Sequence, residues 1–183
     1  KNGWTPAPAP APAPAAPKIM IGIPVYNRQG YVRFSSRVLI QYNEVDPKDI
    51  FVFDDASTEY DENKLREWYG KDIHYFRSSK RLKADGNTRR LFHYFAKSDY
   101  DILLTLDSDL ILDLKWKQFV YDHIGKSGVL SLYHSGIDYH KTFNCNGNLC
   151  EKKSMGNAGA VMTKSVVVNM LKNHKSSQFD WGW

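Results

Sequence analysis

Two periodicities alternate along the chain, and that alternation restricts the fold more than any other feature. Short apolar runs at 18–27, 48–57, 72–78 and 101–106 have the length and β-branched content of buried strands. Between them, 30–43, 60–70 and 86–98 carry apolar residues at helical spacing, and Gly70 stands where a helix would stop. Strand and helix repeated in this way predict βαβ units, an α/β class with a mainly parallel sheet. Ligands on such sheets gather at the carboxyl ends of the strands. Further along, 128–134 reads as another strand, 140–154 as a hairpin around Asn146-Gly147, and 155–174 as a Gly-rich turn running into a helix.

Residues 1–17 have no share in this pattern. "TPAPAPAPAPAAP" buries nothing and is expected to be an extended linker or tail, leaving 18–183 as one domain. The formal charge of +5 comes from basic residues scattered in short groups such as "SSKRLK" and "TRR". That suits an anionic ligand without the long basic block of a nucleic-acid binder, so no nucleic-acid partner is expected. No apolar run is long enough for a transmembrane helix, and no signal peptide is evident. Cys145 and Cys150 flank the hairpin turn and are close enough to bridge. In the cytoplasmic protein this composition suggests, they are expected as free thiols.

The marked chemistry lies at strand ends. The first strand closes in Pro24-Val25-Tyr26-Asn27-Arg28, the second in Asp54-Asp55, and the fourth in Asp107-Ser108-Asp109. In a parallel sheet these lie along one edge. Carboxylates so placed repel each other and resist burial unless a cation joins them, and Mn²⁺ or Mg²⁺ takes carboxylate oxygens, especially beside phosphates. The plainer alternative is that each aspartate caps the helix that follows it. His134, His140 and His174 are possible further metal ligands, although each alone reads better as a surface or core residue. The first loop has no Gly-x-Gly-x-x-Gly, and Gly-x4-Gly-Lys-Ser/Thr occurs nowhere, which argues against a dinucleotide cofactor and a P-loop.

A lone Asp-x-Asp is a weak signal. Four motifs in order are a strong one: "IGIPVYNR", "FVFDDAST", "GNTRR" and "LLTLDSD", from about Lys18 to Leu110, resemble the motif series of GT-A glycosyltransferases of the family-2 type. The Pro/Ala tract ahead of such a domain is also similar to the large capsid glycosyltransferases of chlorella viruses, which would place the chain in a host cytoplasm. The resemblance implies a Rossmann-like α/β/α sandwich with a mixed, mainly parallel sheet. It implies metal-dependent transfer of a sugar from a nucleoside-diphosphate sugar, UDP being the first choice, to a hydroxyl of a glycan or glycoprotein. Rival readings are a sugar-phosphate nucleotidyltransferase and a non-catalytic carbohydrate-binding module.

By the same resemblance, Pro24, Tyr26, Asn27 and Arg28 lie against the base and phosphates. Asp55 accepts a hydrogen bond from the base, with Asp54 as a turn residue. The basic "GNTRR" turn points Arg89, or Arg90, at the nucleotide. Asp107 reaches the ribose or supports the metal, Ser108 adjoins the nucleotide, and Asp109 is the primary ligand of Mn²⁺ (or Mg²⁺). Gly156, Asn157, Ala158 and Gly159 leave room for the sugar. Asp180 is the catalytic base of an inverting reaction, and Trp181 and Trp183 offer faces to the acceptor. The chain ends three residues after Asp180, short for this family, so a fragment of a longer polypeptide is expected.

Overall fold

The structure is a computed structural model that describes residues 15–133, 142–147, 149–152, 156 and 158–173. Its centre is a six-stranded sheet. The strands are β1 (Ile19–Val25), β2 (Ile50–Asp54), β3 (His74–Arg77), β4 (Ile102–Thr105), β5 (Val129–Ser131) and β8 (Ala160–Thr163). Their order is β3-β2-β1-β4-β8-β5; β1 to β4 run parallel, and β8 runs antiparallel to both β4 and β5. The expected mixed, mainly parallel GT-A sandwich is therefore the observed architecture.

Strand alternation decides which side chains face which layer. Ile19, Ile21, Ile23 and Val25 of β1 join Val32 and Leu39 of α1 (Gln29–Gln41), Leu65 and Trp68 of α2 (Glu62–Tyr69), and Trp116, Val120 and Ile124 of α4 (Trp116–Ser127). Met20, Phe51 and Leu103 face the other way, onto Leu91, Phe92 and Phe95 of α3 (Lys83–Lys97) and Val167 of α5 (Lys164–Asn173). Gly22 marks where α3 comes closest: a Cβ there would stand 2.5 Å from Leu91 Cδ1.

The first four strands and three helices stand where the periodicities put them, and four details differ. Helix α4, in a stretch that carried no assignment, has its buried residues at successive four-residue steps. A short strand, β8, stands between the Gly-rich turn and α5, because "AVMT" pairs with β4 and β5 before the chain turns helical. Helix α3 starts at Lys83, so "GNTRR" is helical throughout rather than a basic turn. Finally, Cys145 and Cys150 form a disulfide rather than free thiols. The hairpin of β6 (Thr142–Asn146) and β7 (Leu149–Lys152) turns at Asn146-Gly147 as expected and brings the two sulfurs together. Among the described residues, no helix is long and apolar enough to cross a membrane.

Candidate active site at the β1–β4 crevice

From β1 the chain steps outward to β2 and β3, then returns through α3 to β4 on the far side of β1. This reversal opens a crevice between the carboxyl ends of β1 and β4, the place where doubly wound sheets receive ligands. The loops after β1 and β4 form its walls. Because β8 is antiparallel, its leading turn reaches the same edge: Ala160 pairs with Thr105, the last residue of β4.

The β1 loop is held in an uncommon shape. Asn27 and Arg28 both have left-handed backbones, with φ of 50° and 59°. Such positions cost non-glycine residues of order 1–2 kcal/mol each, although asparagine tolerates them better than most. A web of hydrogen bonds from the β2 loop fixes them. Asn27 Oδ1 accepts from the amides of Thr58 and Glu59, the Asn27 amide donates to Ser57 Oγ, and Tyr60 donates its hydroxyl to the Asn27 carbonyl. Glu59 also accepts from the Gln29 amide, placing a carboxylate at the positive end of α1. Asn27 thus locks the two loops together through its backbone and Oδ1.

The two adjacent aspartates of β2 have separate duties. Asp54, fully buried, accepts from the Ser57 amide, the Tyr75 hydroxyl and Arg77 Nη1. It is the turn residue that the sequence allowed. Asp55 is 3% exposed, and its Oδ1 accepts from the Leu82 amide at 2.6 Å. That bond draws the segment after β3 across the rim. Arg81, next to Leu82, then stands with its guanidinium carbon 4.1 Å from the centre of the Tyr26 ring. Sequence reasoning did not single out Arg81, which is one of the scattered basic residues of "SSKRLK".

The arginines of "GNTRR" are placed differently. Arg89 extends along α3 toward His93, with Nε 3.5 Å from Nε2. Arg90 turns to Asn87 and to the Phe76 carbonyl of β3. The guanidinium over the first-loop aromatic is therefore Arg81's.

On the β4 side, Leu106 extends the pairing with β1, its amide donating to the Gly22 carbonyl. A turn follows in which the Leu110 amide donates to the Asp107 carbonyl at 3.0 Å. Ser35 of α1 donates to the Ser108 carbonyl at 2.6 Å and pins that turn. Asp107 is pushed above the usual carboxylate range, first by burial and then by Asp109, while Arg28 pulls it back. Arg28 Nη1 lies 3.0 Å from Asp109 Oδ2.

At the leading end of β8, Gly159 has φ of 65°, and a Cβ there would meet Tyr133 at 3.3 Å, so a side chain would be strained and tightly placed. Gly156 and Ala158 belong to the same approach. Asn157, Asp180, Trp181, Trp183, His134, His140 and His174 lie outside the described residues.

Asp107 and Asp109 are hard oxygen donors, and the charge of Asp109 adds to the upward push on Asp107. Among the described residues no group of three or more His, Cys, Asp or Glu side chains is arranged to hold a metal. A two-carboxylate set still fits Mn²⁺ or Mg²⁺, which commonly take one or two carboxylates and complete their shell with substrate phosphates and water.

Comparison with known proteins agrees with this fold. Residues 1–349 of TarS from S. aureus, in complex with UDP, superpose with a TM-score of 0.61 at 15% identity, over 87% of this chain and 51% of that one. The same protein in complex with UDP-GlcNAc gives 0.58 at 15% identity, over 83% and 47%. The mannosyltransferase PcManGT from Pyrobaculum calidifontis, in complex with GDP-Man and Mn²⁺, gives 0.53 at 15% identity, over 64% and 35%. The chain thus spans between about a third and a half of these structures, and at such identity they share its fold. No curated protein sequence matches it. The model of the family described as "Glycosyl transferase family 2" matches residues 20–150, well over half of the sequence, and the chain therefore belongs to glycosyl transferase family 2.

Proposed function

We propose that this domain transfers a sugar, a hexosyl unit, from a nucleoside-diphosphate sugar to an acceptor hydroxyl of a glycan or glycoprotein, with help from a divalent cation. The observation that carries this reading is the carboxylate pair Asp107 and Asp109 at the β1–β4 crevice, facing Arg28, with Tyr26 and Arg81 on the same rim. A flat base needs an aromatic face, a diphosphate needs cations, and a bridging metal needs carboxylates; the rim holds all three side-chain types. Family membership supports the same reading, as do fold neighbours bound to UDP, UDP-GlcNAc and GDP-Man.

In this reading Tyr26 stacks on the base. Asp55 receives a base N–H through Oδ2, because Oδ1 is committed to Leu82. Arg81 takes over the nucleotide-facing role that the motif series gave to Arg89. Asp107 and Ser108 adjoin the ribose, and Asp109 is the main ligand of Mn²⁺ or Mg²⁺. When bound, the cation would offset the charge that grows on the departing diphosphate. Gly156 and Gly159 leave room for the sugar. Asp180 takes the acceptor proton, and direct displacement by that oxygen inverts the anomeric centre. UDP is the expected nucleotide, and the Pro/Ala tract is a tether like that of the chlorella-virus enzymes.

The test is a thermal-shift panel of UDP- and GDP-sugars with and without Mn²⁺. A ligand of the folded state raises its melting temperature by mass action. Stabilisation by one nucleotide's sugars that Mn²⁺ enhances is the expected result, and stabilisation by none of them contradicts it. Transfer itself is tested with Asp180→Asn, which should lower the rate at least about a hundredfold while donor affinity is kept.

A further inference from the structure

Arg28 is held in an unusual way for a residue whose side chain ends in solvent. Its left-handed backbone caps α1 without a side-chain cap bond, and its neighbour Asn27 is fixed by the β2 loop. The loop thereby aims a long cation across the crevice from β1 to β4. The guanidinium meets Asp109 at 3.0 Å and also acts on the charge of Asp107. A positive charge thus stands at the carboxylate pair that would hold the cation.

The pair is made to be exchanged. The side chain of Arg28 is 65% exposed and that of Asp109 37%. An ion pair that open contributes little to stability, so the fold does not depend on it. Without a cation it offsets the repulsion between Asp107 and Asp109. A divalent ion at Asp109 would displace the guanidinium, leaving it loose at the mouth of the crevice where a diphosphate enters.

We infer that Arg28 is a resident counter-ion of the carboxylate pair: it competes with the divalent cation for Asp109 and, once displaced, binds the donor diphosphate. This rests on the reading of Asp109 as metal ligand. Its consequence is ordered assembly, in which the bare domain binds metal weakly and the diphosphate strengthens that binding by engaging the released arginine.

The experiment titrates the whole chain with Mn²⁺ alone, following free Mn²⁺ by electron paramagnetic resonance, and then with UDP at saturating Mn²⁺. Arg28→Met keeps the aliphatic stem and removes the charge. It should bind Mn²⁺ about three- to tenfold tighter than the unaltered protein, the gap narrowing as salt rises, and should bind UDP at least about threefold more weakly. Arg28→Lys should stay near the unaltered protein for Mn²⁺. Arg37→Met, on α1 away from the crevice, controls for the loss of one positive charge and should change neither affinity. Opposite signs on metal and diphosphate are not expected of a residue that only stiffens the loop. Unchanged or weaker Mn²⁺ binding in Arg28→Met, or unchanged UDP binding, overturns the inference while the metal assignment stands, provided Asp109→Asn still abolishes Mn²⁺ binding. If Asp109→Asn binds Mn²⁺ as well as the unaltered protein, or if no variant binds it, the assignment and the inference fall together.

Discussion

Asp54 and Asp55 are adjacent in sequence and do different work. Asp54 gathers an amide, a hydroxyl and a guanidinium around one buried carboxylate. Asp54→Ala should therefore cost roughly 2–4 kcal/mol of unfolding free energy in denaturant melts, because three donors lose their partner; a loss below about 1 kcal/mol would show that Arg77 and Tyr75 find other acceptors. Asp55→Ala should weaken the preferred nucleotide by about 1–3 kcal/mol and blur discrimination between bases, measured by titration with UDP and GDP. Equal weakening for both nucleotides would make Asp55 solely the anchor of Leu82. At this scale the place of a residue, as distinct from its role, was legible wherever it follows a strand directly, as for Tyr26, Asp55, Asp107 and Asp109. Arg81 was not, because its place over Tyr26 depends on the chain folding back after β3, through the Asp55–Leu82 bond and a left-handed Lys83 with φ of 62°. No local pattern records a bond between positions so far apart.

Among the elements, α3 and the loop pair after β1 and β2 set the rim. Helix α3 lies so close over Gly22 that Gly22→Ala must push Leu91 aside, and roughly 1–3 kcal/mol of stability should be lost. Melting at an unchanged temperature would mean that α3 can shift. The loop lock has a pH signature. Burial is the main cause that pushes both Tyr60 and Tyr75 up to about 12. Each phenol is neutral in the fold and donates to the lock, Tyr60 to the Asn27 carbonyl and Tyr75 to Asp54. Their contribution is fully present below about pH 10, where an unfolded tyrosine begins to ionise, and is lost as pH rises toward about 12. Melts through this range, read beside tyrosinate absorbance, should show stability falling as the late tyrosines ionise. Ionisation of these two together with free tyrosine would contradict the lock. The strands and helices up to β4 were legible because each is a clean run of one period. Strand β8 was not, since four residues between a glycine turn and a helix show no period of their own, and only pairing with β4 and β5 makes them a strand.

For the whole molecule, the order of strands matters more than any motif, because it places the β1 and β4 ends side by side. The order was not written in the sequence. It follows from α3 carrying the chain back past β1, a tertiary choice that the periodicities allow and do not dictate. The disulfide bears on the whole chain too. It joins Cys145 to Cys150 within a hairpin apart from the main sheet, and such bonds persist more readily in oxidising surroundings than in a reducing cytoplasm. Removing residues 1–17 should leave the melting temperature unchanged, since the Pro/Ala run that begins at Thr5 has no core-forming side chains; a clear drop would show that the segment packs on the domain. In the proposed function the β1–β4 crevice binds a nucleotide sugar through a cation held at Asp109. The most direct measurement is calorimetric titration of the preferred nucleotide sugar, with and without Mn²⁺, into the unaltered protein and Asp109→Asn. Mn²⁺ should tighten binding in the unaltered protein and give no enhancement in Asp109→Asn, both melting at similar temperatures. Equal Mn²⁺ enhancement in the two proteins would contradict it.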